Sequence, residues 1–181
     1  GTLGLLENIL TGLFFISGYL VMRLAGVGRL LAIPGVAVAV VVLTWNLDFP
    51  VGALLQHGAL RFGLPMAIVL VCLTGSRWPR MGGWSRFGVA ALFGLSSFWA
   101  LEAFAYSLVT VAALSALQVW WLDSSERRGW ILRRSLELLA ACVAVHAVFA
   151  LLTLAFTGQL PDWGMYLTYL RAFLFEKLGE I

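Results

Sequence analysis

Along this chain, apolar stretches of fifteen or more residues alternate with short segments that hold most of the charge. Reading between the charges gives six candidate spans: residues 5–22, 30–45, 51–74, 87–101, 106–122 and 136–157. A helix needs about 20 predominantly apolar residues to cross the hydrocarbon core, and these stretches cluster around that length. The fourth and fifth are divided by the least, since residues 87–122 form one run of 36 broken only by Glu102. A single straight helix of that length would reach about 54 Å, against a core of roughly 30 Å. A tight hairpin around residues 96–105 is therefore expected.

After the sixth span comes Gly158-Gln159-Leu160-Pro161-Asp162-Trp163-Gly164. Asp162 is placed to cap a helix opening near Trp163, and Trp163, Tyr166, Leu167, Leu170 and Leu174 form one apolar stripe along it. Thr168, Arg171 and Lys177 interrupt the rest of its surface. Too short and too charged for a span, this segment is expected to lie flat or half-inserted at the outer interface. The expected fold is thus an all-α, polytopic transmembrane helical bundle of about six spans (residues 1–157) with a C-terminal juxtamembrane helix (residues 158–181).

The charges set an orientation. Residues 23–29, 75–86 and 123–134 hold two, three and four arginines, and six alternating spans bring all three segments to one side. By the positive-inside rule that side is cytoplasmic, which puts both ends of the chain outside the inner membrane of a bacterium. The opposite links, around residues 46–50 and near Glu102, carry carboxylates and no Lys or Arg. All eight tryptophans fall at the ends of spans or in links, at the headgroup level Trp prefers. Small residues four apart, Ala90 with Gly94 and Ala112 with Ala116, permit close helix contact.

Composition narrows the class. The chain is 61% hydrophobic and 12% charged, with a mean hydropathy of +0.94, whereas a soluble domain is about a quarter charged. Disorder is excluded by the same abundance of apolar and aromatic side chains. The net charge of +3 reflects topology rather than nucleic-acid binding. Cys72 and Cys142 sit in apolar runs, where thiols behave as small hydrophobes, and no disulfide framework or zinc spacing is present. No basic segment precedes the first apolar stretch, so it is not a signal peptide. With its start at Gly1 and its abrupt end at Ile181, the chain reads as a piece of a longer polypeptide. No nucleotide-binding loop, dinucleotide fingerprint, nucleophile elbow or HExxH occurs.

Ionisable groups within spans are the candidates for chemistry, because burial in lipid is costly. Asp48, in Asn46-Leu47-Asp48-Phe49-Pro50, can serve as a base, a metal ligand or an acceptor for sugar hydroxyls, or it can simply solvate a turn whose proline starts the next helix. His57 and Arg61 follow at a spacing that shares one helix face. Arg61 suits a lipid-linked phosphate or pyrophosphate; equally, it can snorkel to headgroups or pair with Asp48. Glu102, flanked by Trp99, Phe104 and Tyr106, is either a sugar-cleft carboxylate or the polar tip a hairpin requires. Arg171 is positioned to meet lipid phosphate. Glu7 and Asn8 form an intramembrane pair or lie above the membrane. Glu137 follows Arg133 by four residues and is expected to pair with it. His146, alone in Ala-Val-His-Ala-Val, is expected to hydrogen-bond a neighbouring helix, with no second ligand spaced to share a metal.

The turn Trp45-Asn46-Leu47-Asp48-Phe49-Pro50, followed about 110 residues later by Leu160-Pro161-Asp162-Trp163-Gly164-Met165-Tyr166-Leu167 and an aromatic-rich helix, resembles the later part of large bacterial GT-C-type membrane glycosyltransferases. The resemblance covers about a third of the chain in short motifs, and Pro50 stands where that pattern leads one to expect glycine. It implies transfer of a sugar from a polyprenyl-phosphate donor on the extracytoplasmic side, with inversion, a carboxylate base and often a divalent metal. In that class the catalytic carboxylate generally sits in the first outward loop, which would precede Gly1, so the resemblance assigns no catalytic residue here. Asp48 is the position that best matches the outer-turn motif. The implied partners are lipids, a lipid-linked sugar donor, and other membrane subunits or the rest of the same chain. The alternative class is non-enzymatic: a transporter half, or an accessory or structural subunit. The scarcity of charge deep in the spans and the lack of an inverted repeat weigh against a translocator.

Overall fold

The computed structural model describes residues 2–45 and 59–175, and among them the chain is all helical. The order is α1 (Thr2–Leu24), α2 (Arg29–Trp45), α3 (Ala59–Arg77), a 3₁₀ turn (Pro79–Met81), α4 (Gly82–Trp99), α5 (Leu101–Trp120), α6 (Ser124–Thr157) and α7 (Trp163–Phe175). Two of these, α5 and α6, are long and apolar enough to cross a membrane, while residues 9–24, 29–38 and 62–77 form shorter apolar helical stretches.

Local chemistry accounts for the boundaries. Helix α1 ends in a Schellman motif: Gly26 adopts φ +92°, its N–H donates to the Arg23 carbonyl, and the Val27 N–H donates to Met22 at 2.9 Å. Only glycine enters that left-handed conformation without cost. The Arg23 guanidinium folds over the same turn onto the Val27 carbonyl, at 2.6 Å. The run of residues 87–122 breaks at a single extended residue, Ala100 (φ −163°, ψ 144°), which closes α4 and opens α5. Helix α6 ends at Gly158, again left-handed, and Asp162 Oδ1 accepts the Met165 N–H at 2.9 Å to cap α7.

One expected link is absent. The segment 123–134 is not a connection between helices, because α6 begins at Ser124 and carries Arg127, Arg128, Arg133 and Arg134 on its own first turns. Arginine is a good helix former, and Glu126 in the first turn complements the helix dipole. At 34 residues, α6 is about 51 Å long.

Helix α3 packs against α1, α4 and α5; α4 also packs against α5 and α6, while α2 lies against α1. The core is small: Ile68, Val89, Phe93 and Val111 are buried, with Val71, Cys72, Leu92, Phe104, Leu114, Leu138 and Cys142 packed around them. Gly94 lets α4 and α6 approach closely, since a Cβ there would stand 2.6 Å from the Ala141 carbonyl oxygen. The other small pair, Ala112 and Ala116, is exposed. Helix α6, the most apolar of the candidate spans, has no buried residue. Its Leu132, Leu136, Leu139, Val143, Leu151 and Phe156 all face outward. A soluble protein places its most apolar helix in its core and rarely exposes so continuous an apolar surface.

Candidate functional site

Two of the five candidates from sequence, Arg61 and Glu102, lie where α3 and α5 begin. Arg61 lies in the first turn of α3 and Glu102 in the first turn of α5. The Phe62 and Tyr106 rings bring these two turns together, with centroids 5.1 Å apart. Glu102 is half-buried, at a helix N-terminus where its charge is favourable. Pro65 lies inside α3 and has no N–H to donate to the carbonyl four residues earlier. Asp48 and His57 lie outside the described residues, as does the pairing of Asp48 with Arg61. Arg171 is exposed on α7.

The same end carries a string of rings that joins α4, α6 and α7. Phe98 meets Phe149 with centroids 4.2 Å apart and presents an edge to His146. Trp163 lies on His146 at 5.6 Å and meets Tyr166 edge-on. His146 Nδ1 donates to the Cys142 carbonyl of its own helix at 3.0 Å, not to a neighbouring helix as the sequence suggests. The neighbours facing it offer aromatic rings rather than acceptors. Trp163 thereby anchors α7 some eleven residues back from Thr157 along α6, about 16 Å below its end.

Among the described residues, the strongest polar arrangement is elsewhere, at the arginine-bearing end. Arg86 of α4 forks onto Glu137 of α6: its Nε donates to Oε2 at 2.7 Å and its Nη2 donates to Oε1. Arg133 Nε and Arg134 Nη1 each reach the same carboxylate at 3.4 Å. Three guanidinium charges thus meet one carboxylate, and the cluster stays positive. Glu137 and Arg133 pair as their spacing predicts, but Arg133 is the most exposed of the three arginines, at 72%, while Arg134 is only 12% exposed.

Beside this cluster opens a cavity of about 320 Å³ between the last turns of α3 and α5, the first turns of α4 and the second and third turns of α6. Arg86, Arg134, Ser76, Gln118 and Trp130 stand on its walls together with the apolar Val89, Val111 and Leu114. Ser85 is fixed by donating to the Val71 carbonyl at 2.7 Å, and Gly75 makes room for it, since a Cβ there would collide with the Ser85 hydroxyl. Sequence reasoning missed this site. One signal was present: Arg86 immediately precedes the fourth candidate span and Glu137 is the second residue of the sixth, so alternating spans put them at the same depth.

No group of three or more His, Cys, Asp or Glu residues gathers to hold a metal among the described residues. The divalent metal implied by the glycosyltransferase resemblance has no donor set among them. Compared with known proteins, the chain matches no family model, no curated protein and no solved structure.

Proposed function

We propose that this chain is a six-span integral membrane protein with its arginine-rich segments cytoplasmic, and that its opposite end handles a polyprenyl-phosphate-linked sugar as part of a GT-C-like glycosyltransferase. The membrane reading is supported by α6, which has no buried residue and whose apolar side chains away from α4, from Leu132 to Phe156, are exposed and need lipid to cover them. The observation that carries the functional reading is the meeting of α3 and α5 at Phe62 and Tyr106, with Arg61 and Glu102 in the adjoining first turns. A guanidinium suits the donor phosphate, and a carboxylate suits sugar hydroxyls. The rings of Phe98, Trp163 and Tyr166 flank the same end and are apt for stacking against a sugar or a prenyl chain.

The test is donor binding by the full-length protein. Removing one partner of a desolvated charge pair costs roughly 2 to 5 kcal/mol, so Arg61→Ala should weaken binding of a polyprenyl-phosphate sugar at least tenfold. The control is Arg128→Ala, at the other end, which should leave donor affinity unchanged. Equal loss in both variants at equal folded yield, or no loss in Arg61→Ala, would put the accessory-subunit alternative ahead.

A further inference from the structure

We propose that the cavity between α3, α4, α5 and α6 at the arginine-bearing end is a binding site for the phosphate headgroup of an anionic phospholipid of the cytoplasmic leaflet. It is separate from the donor end and depends only on the membrane reading, not on the glycosyltransferase one.

Arg134 carries the inference. Its side chain is only 12% exposed, yet among the described residues its five N–H donors have one hydrogen bond, at 3.4 Å to Glu137 Oε2. Glu137 is also engaged by the fork of Arg86 and by Arg133, so its single charge offsets only part of that on Arg134. A guanidinium this buried is costly unless acceptors meet it, and Arg134 faces a cavity with donors unspent. Arg86 is on the wall as well, which makes a two-guanidinium seat for a phosphate, with Ser76 and Gln118 as further hydrogen-bonding groups.

The lining also specifies a lipid rather than a free anion. Polar groups belong to the helix ends, whereas Val89, Val111 and Leu114 continue the wall toward the buried core. A ligand that fits both has a charged head and an apolar body. Trp130 is also on the wall, a residue type that favours the headgroup level of a membrane. The positive cluster sits on the side that the arginine distribution assigns to the cytoplasm, where anionic lipids give the membrane its negative surface.

The full-length protein, purified in an uncharged detergent, is titrated with short-chain phosphatidylglycerol, phosphatidylcholine of equal chain length, and inorganic phosphate, with bound lipid counted by native mass spectrometry. Phosphatidylglycerol should bind at least tenfold more tightly than either of the others. Arg134→Leu should abolish that preference. Should Arg134→Leu fail to fold, Ser115→Leu fills the cavity from α5 with every charge intact and should cause the same loss. Cys72 lines the same wall, so in a Cys142→Ser background its alkylation should slow at least threefold when phosphatidylglycerol is added. Equal affinity for the two lipids, or a preference that survives both variants, overturns the site. Inorganic phosphate binding as tightly as phosphatidylglycerol overturns the lipid assignment. Release of the protein from membranes by alkaline carbonate would instead refute the membrane reading, while donor affinity in Arg61→Ala reports separately on the glycosyltransferase reading.

Discussion

The two ends of the bundle are held by different means. At the arginine-bearing end, α4 is tied to α6 by the Arg86 fork on Glu137 and to α3 by the Ser85 hydroxyl on the Val71 carbonyl. At the opposite end the contacts are between rings: Phe62 with Tyr106, Phe98 with Phe149, and His146 with Trp163. Charge-assisted forks add geometric specificity to their energy, whereas ring pairs accept either offset-stacked or edge-to-face arrangements over centroid separations of about 4.5 to 7 Å. An end built on forks is suited to holding a fixed site, and an end built on rings is suited to admitting a ligand between helices.

The largest effect expected from breaking this contrast is at Glu137. Glu137→Ala leaves Arg86 and Arg134 without their shared carboxylate, and should cost roughly 2 kcal/mol, between an exposed and a buried pair because Arg86 and Glu137 are 40% and 30% exposed. Equilibrium unfolding in micelles measures it. Part of that loss should return in the Arg86→Ala, Glu137→Ala double variant, since fewer unpaired charges remain. A loss below 1 kcal/mol would mean that the fork does not hold this end.

Gly94 tests the seam that runs between the two ends. Gly94→Ala forces a methyl group against the Ala141 backbone, an overpacking cost of roughly 1 to 3 kcal/mol that outweighs the gain of up to about 1 kcal/mol in helix propensity. Gly129 lies in the same partner helix with nothing near its Cβ position, so Gly129→Ala should stabilise by up to that propensity gain. The two thermal midpoints should therefore move in opposite directions. Equal shifts of one sign would show that α4 and α6 do not approach closely at Gly94.

Trp163→Ala probes the ring-built end. It removes the contact on His146, worth about 1 kcal/mol, and should free α7 without unfolding the bundle. Protease access within residues 158–164 should rise while the main thermal transition moves by less than about 3 °C. A bundle that unfolds cooperatively with the loss of Trp163 would make α7 part of the core.

Much of the helical plan was legible because it depends on local pattern: the break near Ala100 within the run 87–122, the Asp162 cap, and the close approach at Gly94. What was not legible depends on how helices are rotated about their axes. Arg86 and Glu137 are 51 residues apart, and spacing rules act only within one helix. The arginine-rich segment 123–134 was misread as a link because charge marks a membrane boundary without ending a helix. Asp48 and His57, central to the sequence-based site, fall outside the described residues, so of that cluster the fold places only Arg61 and Glu102, at the starts of α3 and α5.

The smallest expected effect separates what spacing reveals from what the fold adds. Arg133 and Glu137 form the one ion pair of this cluster that sequence spacing singled out, and in the structure they meet at 3.4 Å with Arg133 72% exposed. Exposed pairs four residues apart on a helix contribute about 0.3 to 0.5 kcal/mol, and Glu137 keeps its Arg86 fork when Arg133 is lost. Arg133→Ala should therefore lower stability by no more than about 0.5 kcal/mol, and raising the salt concentration should erase even that difference, since exposed charges are screened. Arg86→Ala at the same carboxylate should cost several times more and keep most of its effect in salt. Comparable losses in the two variants would mean that the arginine-bearing end is a diffuse patch of surface charge rather than a built network, and the contrast between the two ends would disappear with it.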